Sequence, residues 1–121
     1  MGHYEYYHLK LPWPPTVNHY WKHSKRGHYI TVKGKEYRQQ IIELIEQQNL
    51  DILTASRIKI KIIAHPPDRR RRDIDNLPKA VFDSLTHANF WVDDNQIDDM
   101  QIMRGDLVKG GCLDVQIWEL D

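Results

Sequence analysis

The chain has 121 residues, 40% of them hydrophobic and 28% charged, with 17 Lys or Arg against 17 Asp or Glu. That is the size and composition of one globular domain with a modest core. No apolar run approaches the ~20 residues that cross a bilayer, and the opening MGHYEYYHLK has no signal-peptide core. The single cysteine, Cys112, excludes an intrachain disulfide and a thiolate zinc cluster, and points to a reducing, cytoplasmic setting. A net charge of zero argues against a nucleic-acid partner, but the distribution argues for one. Residues 1–79 hold 15 Lys or Arg against 8 Asp or Glu, a balance of +7, and residues 80–121 hold 2 against 9, a balance of −7. Phosphate binding responds to the local field rather than to the total.

His3 to Leu11 alternates as a strand, with Tyr7, Leu9 and Leu11 on one side. Pro12, Pro14 and Pro15 end it. Asn18 to Tyr29 reads as a polar, basic loop in which Lys22, Lys25 and Arg26 alternate with Tyr20, Trp21 and Tyr29. Such a loop can hold phosphates while its rings stack on exposed bases; its structural alternative is a surface hairpin. Thr31 is placed to cap a helix from Val32 to about Asn49, with Tyr37, Ile41, Leu44 and Ile45 inward. Arg57 to Ile63 alternates as a strand, with Ile58, Ile60 and Ile62 inward and Arg57, Lys59 and Lys61 outward. His65 at its end reads as a packed or capping residue, and the histidines show no zinc-ligand spacing.

Pro66 and Pro67 close that strand and open the most informative stretch, PPDRRRRDIDNLPKAVFDSLTHANFWVDDN. Arg69, Arg70, Arg71 and Arg72 lead into Asp73 and Asp75. If that segment is extended, the two carboxylates face the same way. A helix of about fifteen residues is expected from near Asn76, with Pro78 in its first turn, Leu77 as a non-helical cap, and Lys79 and Asp83 spaced to pair. Leu77, Ala80, Val81, Leu85 and Ala88 form its buried stripe. Asp93 and Asp94 follow. Carboxylate oxygens suit a hard cation such as Mg²⁺, and guanidinium forks suit phosphate. A metal-dependent nuclease must bring both together. Taken alone, Asp73 and Asp75 also read as helix-terminal capping acids. A helix of that length would hold the two acidic pairs ~22 Å apart unless the chain folds back. Ile97 to Leu107 and Gly111 to Leu120 then read as two strands of a hairpin that turns at Val108-Lys109-Gly110-Gly111. The expected order is β-α-β-α-β-β, an α/β (α+β) fold with a mixed sheet in a single domain over residues 1–121. Phe82, Phe90 and Trp91 are either core or dimer surface.

These residues together resemble the RusA family of Holliday junction resolvases, encoded by bacteria and phages. The resemblance runs through LPWPP and Asn18, PDRRRRDIDNL, Lys79, FWVDD and the late VKGG turn, nearly the whole chain. It implies a homodimeric, Mg²⁺-dependent endonuclease, with Mn²⁺ as a substitute and no organic cofactor, that cuts four-way DNA junctions by paired symmetric nicks. It implies that Asp73, Asp75 and Asp94 are the catalytic, metal-holding aspartates, that Asp93 assists, and that Lys79 is the essential lysine. On that reading Arg69 to Arg72, with Lys22, Lys25 and Arg26, grip DNA. Pro78 departs from the family pattern, which expects a polar helix former there. Three other readings share parts of the pattern: a nuclease for flaps or other branched DNA, a non-catalytic junction or single-strand binder, and an Asp-x-Asp nucleotide-sugar transferase. The chain is short for the last and carries no nucleotide-binding βαβ unit.

Overall fold

The computed structural model describes residues 5–120. His3 and Tyr4, the expected start of the first strand, lie outside them. The chain forms two compact units: Met1–Trp13, Ala55–Ile74 and Asn95–Asp121 in the first, Pro14–Thr54 and Asp75–Asp94 in the second. Together they give a small α+β protein with a mixed sheet and three α-helices. Among the described residues no helix is long and apolar enough to cross a membrane.

The first unit is a four-stranded sheet. Its strands are β1 (Glu5–Pro12), β4 (Arg57–His65), β5 (Ile97–Arg104) and β6 (Cys112–Leu120), in the order β1-β6-β4-β5. The period-two pattern holds in it. Leu9, Leu11, Ile58, Ile60, Ile62, Ala64, Leu113, Val115 and Ile117 are all almost fully buried. At ~1.5–3 kcal/mol for each large apolar side chain removed from water, this layer holds much of the unit's stability. The expected hairpin of the last two strands does not form. β5 runs parallel to β4, and β6 lies antiparallel between β4 and β1. A turn at Gly110 and Gly111, both at positive φ, still reverses the chain. However, residues 105–111 carry it across β4 rather than straight back along β5. The isoleucine-rich β4 thus pairs along both of its edges, with β5 on one side and β6 on the other.

The outward row of β4 is engaged locally. Arg57 donates to Asp98 (3.0 Å) and to the Asn95 carbonyl (2.9 Å). The Lys59 ammonium stands 5.1 Å from the Trp118 ring centroid. His65 is the packed residue expected: its ring nitrogens lie 2.9 Å from the Asp106 carbonyl and 2.9 Å from Asp114 Oδ2.

The second unit packs three helices with a hairpin. Its elements are α1 (Val17–Tyr20), β2 (Trp21–Ser24), β3 (Gly27–Ile30), α2 (Val32–Gln47) and α3 (Pro78–His87). The segment expected as a loop over 18–29 is therefore a short helix and a β-hairpin. Its polar composition hid a two-residue turn at Lys25-Arg26, closed by Gly27 at φ 112°. Thr31 caps α2 as expected, its hydroxyl oxygen accepting from the Gly34 N–H at 3.0 Å. Tyr37, Ile41 and Ile45 face α3, whose Ala80, Val81 and Leu85 are fully buried. The observed order, β-α-β-β-α-β-α-β-β, thus adds one helix and one hairpin to the expected one.

Candidate active site

Ile74 to Asn76 form a 3₁₀ turn, so Asp73 to Asp75 is not one extended run. Leu77 is the residue before α3 but adopts helical geometry, φ −84° and ψ −40°, so the turn runs on into the helix despite the proline that follows. Pro78 sits at the first helical position, where its missing N–H costs nothing. The family-atypical proline therefore starts α3 without breaking it. Asp75 and Lys79 are both exposed on this segment.

The helix has 10 residues rather than about fifteen, ~15 Å at 1.5 Å per residue. It stops at a left-handed Asn89, φ 63°. The Phe90 N–H donates to the Leu85 carbonyl (3.1 Å) and the Asn89 N–H to that of Thr86 (3.1 Å). This paired arrangement turns the chain back on the helix it has just left. Phe90 and Trp91 are then fully buried, core rather than surface. The Trp91 indole N–H donates to Thr86 Oγ1 (2.7 Å), and the Thr86 hydroxyl donates to the Phe82 carbonyl (2.8 Å). Trp91 also bridges to Thr54 in parallel pairing. So clamped, the return strand brings Asp93 and Asp94 back alongside α3. The shorter helix and the reversal thus carry the acidic pair Asp93–Asp94 back as far as Asp83 in the middle of α3.

The electrostatics report that return. The Asp94 carboxyl is held above the ordinary carboxylate range, first by partial burial, then by its hydrogen bond with Asp93 and the charges of Asp93 and Asp83. Asp83 does not pair with Lys79 as its spacing suggested. It accepts from Arg38 Nη2 (2.8 Å) and Nε (3.2 Å) and from the Tyr20 hydroxyl, and lies 3.7 Å from His87 Nε2. Tyr20 is fully buried, and its hydroxyl is pushed up to about 12, first by that burial and then by Asp83. Asp83 therefore ties α1, α2 and α3 together, and leaves Lys79 exposed one turn earlier on the same face. Lys79 lines a cavity of about 310 Å³ with Asn18, Trp21 and the hairpin histidines.

Asp73 belongs to the first unit, at the end of the arginine loop. Arg72 is anchored there: its Nη1 donates to Asp68 (2.7 Å) and its guanidinium lies 5.8 Å from the Trp13 ring centroid. Its carbonyl, one peptide bond before Asp73, accepts from Arg104 Nη2 (2.7 Å). Arg104 carried no signal in the sequence, since only the pairing of β5 with β4 brings it there. Arg69, Arg70 and Arg71 are exposed. Within either unit, among the described residues, no three His, Cys, Asp or Glu side chains are gathered tightly enough to hold a metal ion. The donors do fit a hard divalent cation in kind, being carboxylate oxygens, and a cation beside Asp94 would offset the burial and like charge that oppose its ionisation.

The sequence profile of the RusA endodeoxyribonucleases matches residues 12–117, through both units. The chain belongs to the RusA family. Relatives in the family include the crossover junction endodeoxyribonuclease of Enterobacteria phage HK97, 48% identical over 115 residues, covering 95% of this chain and 96% of the relative. That of Enterobacteria phage 82 is 46% identical over 114 residues, 94% and 95% of the two chains. That of Escherichia coli K12 is 44% identical over the same length, again 94% and 95%. The RusA family match therefore embraces the arginine loop, α3 and the acidic return.

Proposed function

We propose that this chain is a crossover junction endodeoxyribonuclease that acts on four-way DNA junctions, its two units working as one nuclease domain of residues 1–121. The full-length likeness to relatives of that name supports the substrate, and one observation supports the chemistry: the return of Asp93 and Asp94 alongside α3, which carries Lys79 in its first turn. Asp73, Asp75 and Asp94 are the metal-holding carboxylates, with Asp93 hydrogen-bonded to Asp94. Mg²⁺ is the natural cation and Mn²⁺ its substitute. When bound, the cation polarises the scissile phosphodiester and eases loss of a proton from the attacking water. The Lys79 ammonium offsets charge that grows on the phosphoryl oxygens. Arg69, Arg70 and Arg71 hold flanking phosphates, for which the planar guanidinium fork is suited. Arg72, bonded to Asp68, shapes the loop that presents them. The ends produced are 3′-hydroxyl and 5′-phosphate.

A four-way junction has approximate two-fold symmetry, which a two-fold homodimer would match with two equivalent sites. Labelled four-way junction, flap and linear duplex, incubated with Mg²⁺ or EDTA, test the proposal. Paired nicks in the junction alone, abolished by EDTA and by Asp75→Asn, are expected. Equal cutting of the flap would discard the substrate. Binding without nicks in any metal would discard the chemistry.

A further inference from the structure

The hairpin β2–β3 has two chemically distinct faces. Trp21 pairs with Ile30 and His23 with His28, while Lys22 pairs with Tyr29. Directly opposed residues share a face and alternate along the strand. Trp21, His23 and His28 therefore lie on one side, and Lys22 and Tyr29 on the other. The two imidazoles are in contact, ring centroids 3.9 Å apart. The ring-bearing face borders the cavity of about 310 Å³, together with Val17, Asn18 and Lys79. Cations suited to phosphate, Lys22, Lys25 and Arg26, sit on the opposite face and at the tip.

We propose that this cavity takes one unstacked nucleobase of the junction, from a nucleotide beside the bond that is cut. This rests on Lys79 belonging to the cleavage site. The volume is at the small end of ligand pockets, room for one planar base. Three of the six lining side chains are rings, and every base has a π-face to offer them. Asn18 supplies both a donor and an acceptor for a base edge. Among the described residues no carboxylate lines the cavity, so nothing there repels the adjoining phosphate. Unstacking costs least where a base is already poorly stacked, as at a branch point. Trp21 and the His23–His28 pair are thus the stacking surface, and Asn18 reads the base. The cavity makes the enzyme selective for sequence at the crossover.

The test is a cycle between protein and DNA. Four-way junctions carry a single abasic nucleotide, placed in turn at each position within two nucleotides of the cleaved bond. They are presented to wild type, Trp21→Ala, Trp21→Phe and Asn18→Ala. Base removal at one position is expected to weaken wild type roughly 5- to 150-fold, the range for a lost base–ring stack. Trp21→Ala should weaken the intact junction similarly and lose nothing further on the abasic one. Trp21→Phe, which keeps a ring, should retain the wild-type pattern even if Trp21→Ala melts early. Asn18→Ala should narrow the spread among the four bases at that position. Wild type indifferent to base removal everywhere, or penalties that multiply, would overturn the proposal. The same cycle is read as affinity in EDTA, so the cavity is tested even on a protein that does not cut junctions.

Discussion

If Asp94 is the cation ligand proposed above, it serves at a cost in stability. Its carboxyl is raised by burial, by Asp93 and by the charge of Asp83, all of which disfavour the ionised form that a cation needs. Asp94→Asn should therefore abolish nicking, leave junction affinity in EDTA intact, and raise the melting temperature of the metal-free protein. An unchanged nicking rate would remove Asp94 from the site, and a lower melting temperature would remove the repulsion. Asp68 has the opposite character. The hydrogen bond from Arg72, then that from the Arg70 amide, pulls its carboxyl down to about 2. A depressed folded value stabilises above the unfolded value near 3.9 and is lost as pH falls through about 2. The wild-type melting temperature should thus drop between about pH 4 and pH 2, and Asp68→Asn should drop less over that window. Parallel curves would show that the pair does not contribute.

At the scale of elements, two backbone details place the functional groups. Asn89, in left-handed geometry, reverses the chain after α3 and returns the acidic pair. Asn89→Ala should cost about 1–2 kcal/mol, the penalty of a Cβ in that region, while Asn89→Gly should be neutral or stabilising. Denaturant titration measures both, and equal midpoints would refute the cap. Gly34 sits under the hairpin, where an added Cβ would stand 2.5 Å from the Tyr20 carbonyl oxygen and 2.7 Å from Ile30 Cγ1. Backbone cannot yield as a flexible side chain can. Gly34→Ala should cost about 1–3 kcal/mol by overpacking. It should also weaken junction binding more than Asn89→Ala does, because it moves Trp21 and its neighbours.

For the whole molecule, the balance of +7 over residues 1–79 and −7 over 80–121 is the decisive electrostatic fact. The basic part carries the arginine loop and the hairpin tip, and the acidic part carries Asp93 and Asp94. Junction affinity should fall steeply with salt. Replacing Arg69, Arg70 and Arg71 together with Ala should reduce the slope of log affinity against log salt by about 0.9 for each phosphate that they neutralise. An unchanged slope would show that these arginines do not touch the backbone. The paired nicking proposed above requires paired sites, so wild type mixed and refolded with Asp75→Asn should yield single nicks in excess of either protein alone. Only uncut and doubly nicked junctions would argue for one active chain.

Much of this protein is legible in the order of its residues. Alternation in Arg57–Ile63, helical spacing in Val32–Gln47 and the cap at Thr31 are local properties, each set by residues within a few positions of one another. Asp73, Asp75, Lys79 and Asp94 stand out as candidates only through the family resemblance, because Asp-x-Asp alone reads equally as helix-terminal capping, and their roles are those proposed above. What tertiary structure decided is how distant segments meet. β6 inserts between β1 and β4, because strand pairing joins segments far apart in the chain and is not set by which strands are consecutive. Asp83 abandons Lys79 for Arg38 and Tyr20, because a buried tyrosine hydroxyl and a guanidinium fork from elsewhere outcompete a flexible neighbour one turn away. The hairpin turns three rings toward Lys79 and its cations outward, because register assigns faces and register is a property of two strands together.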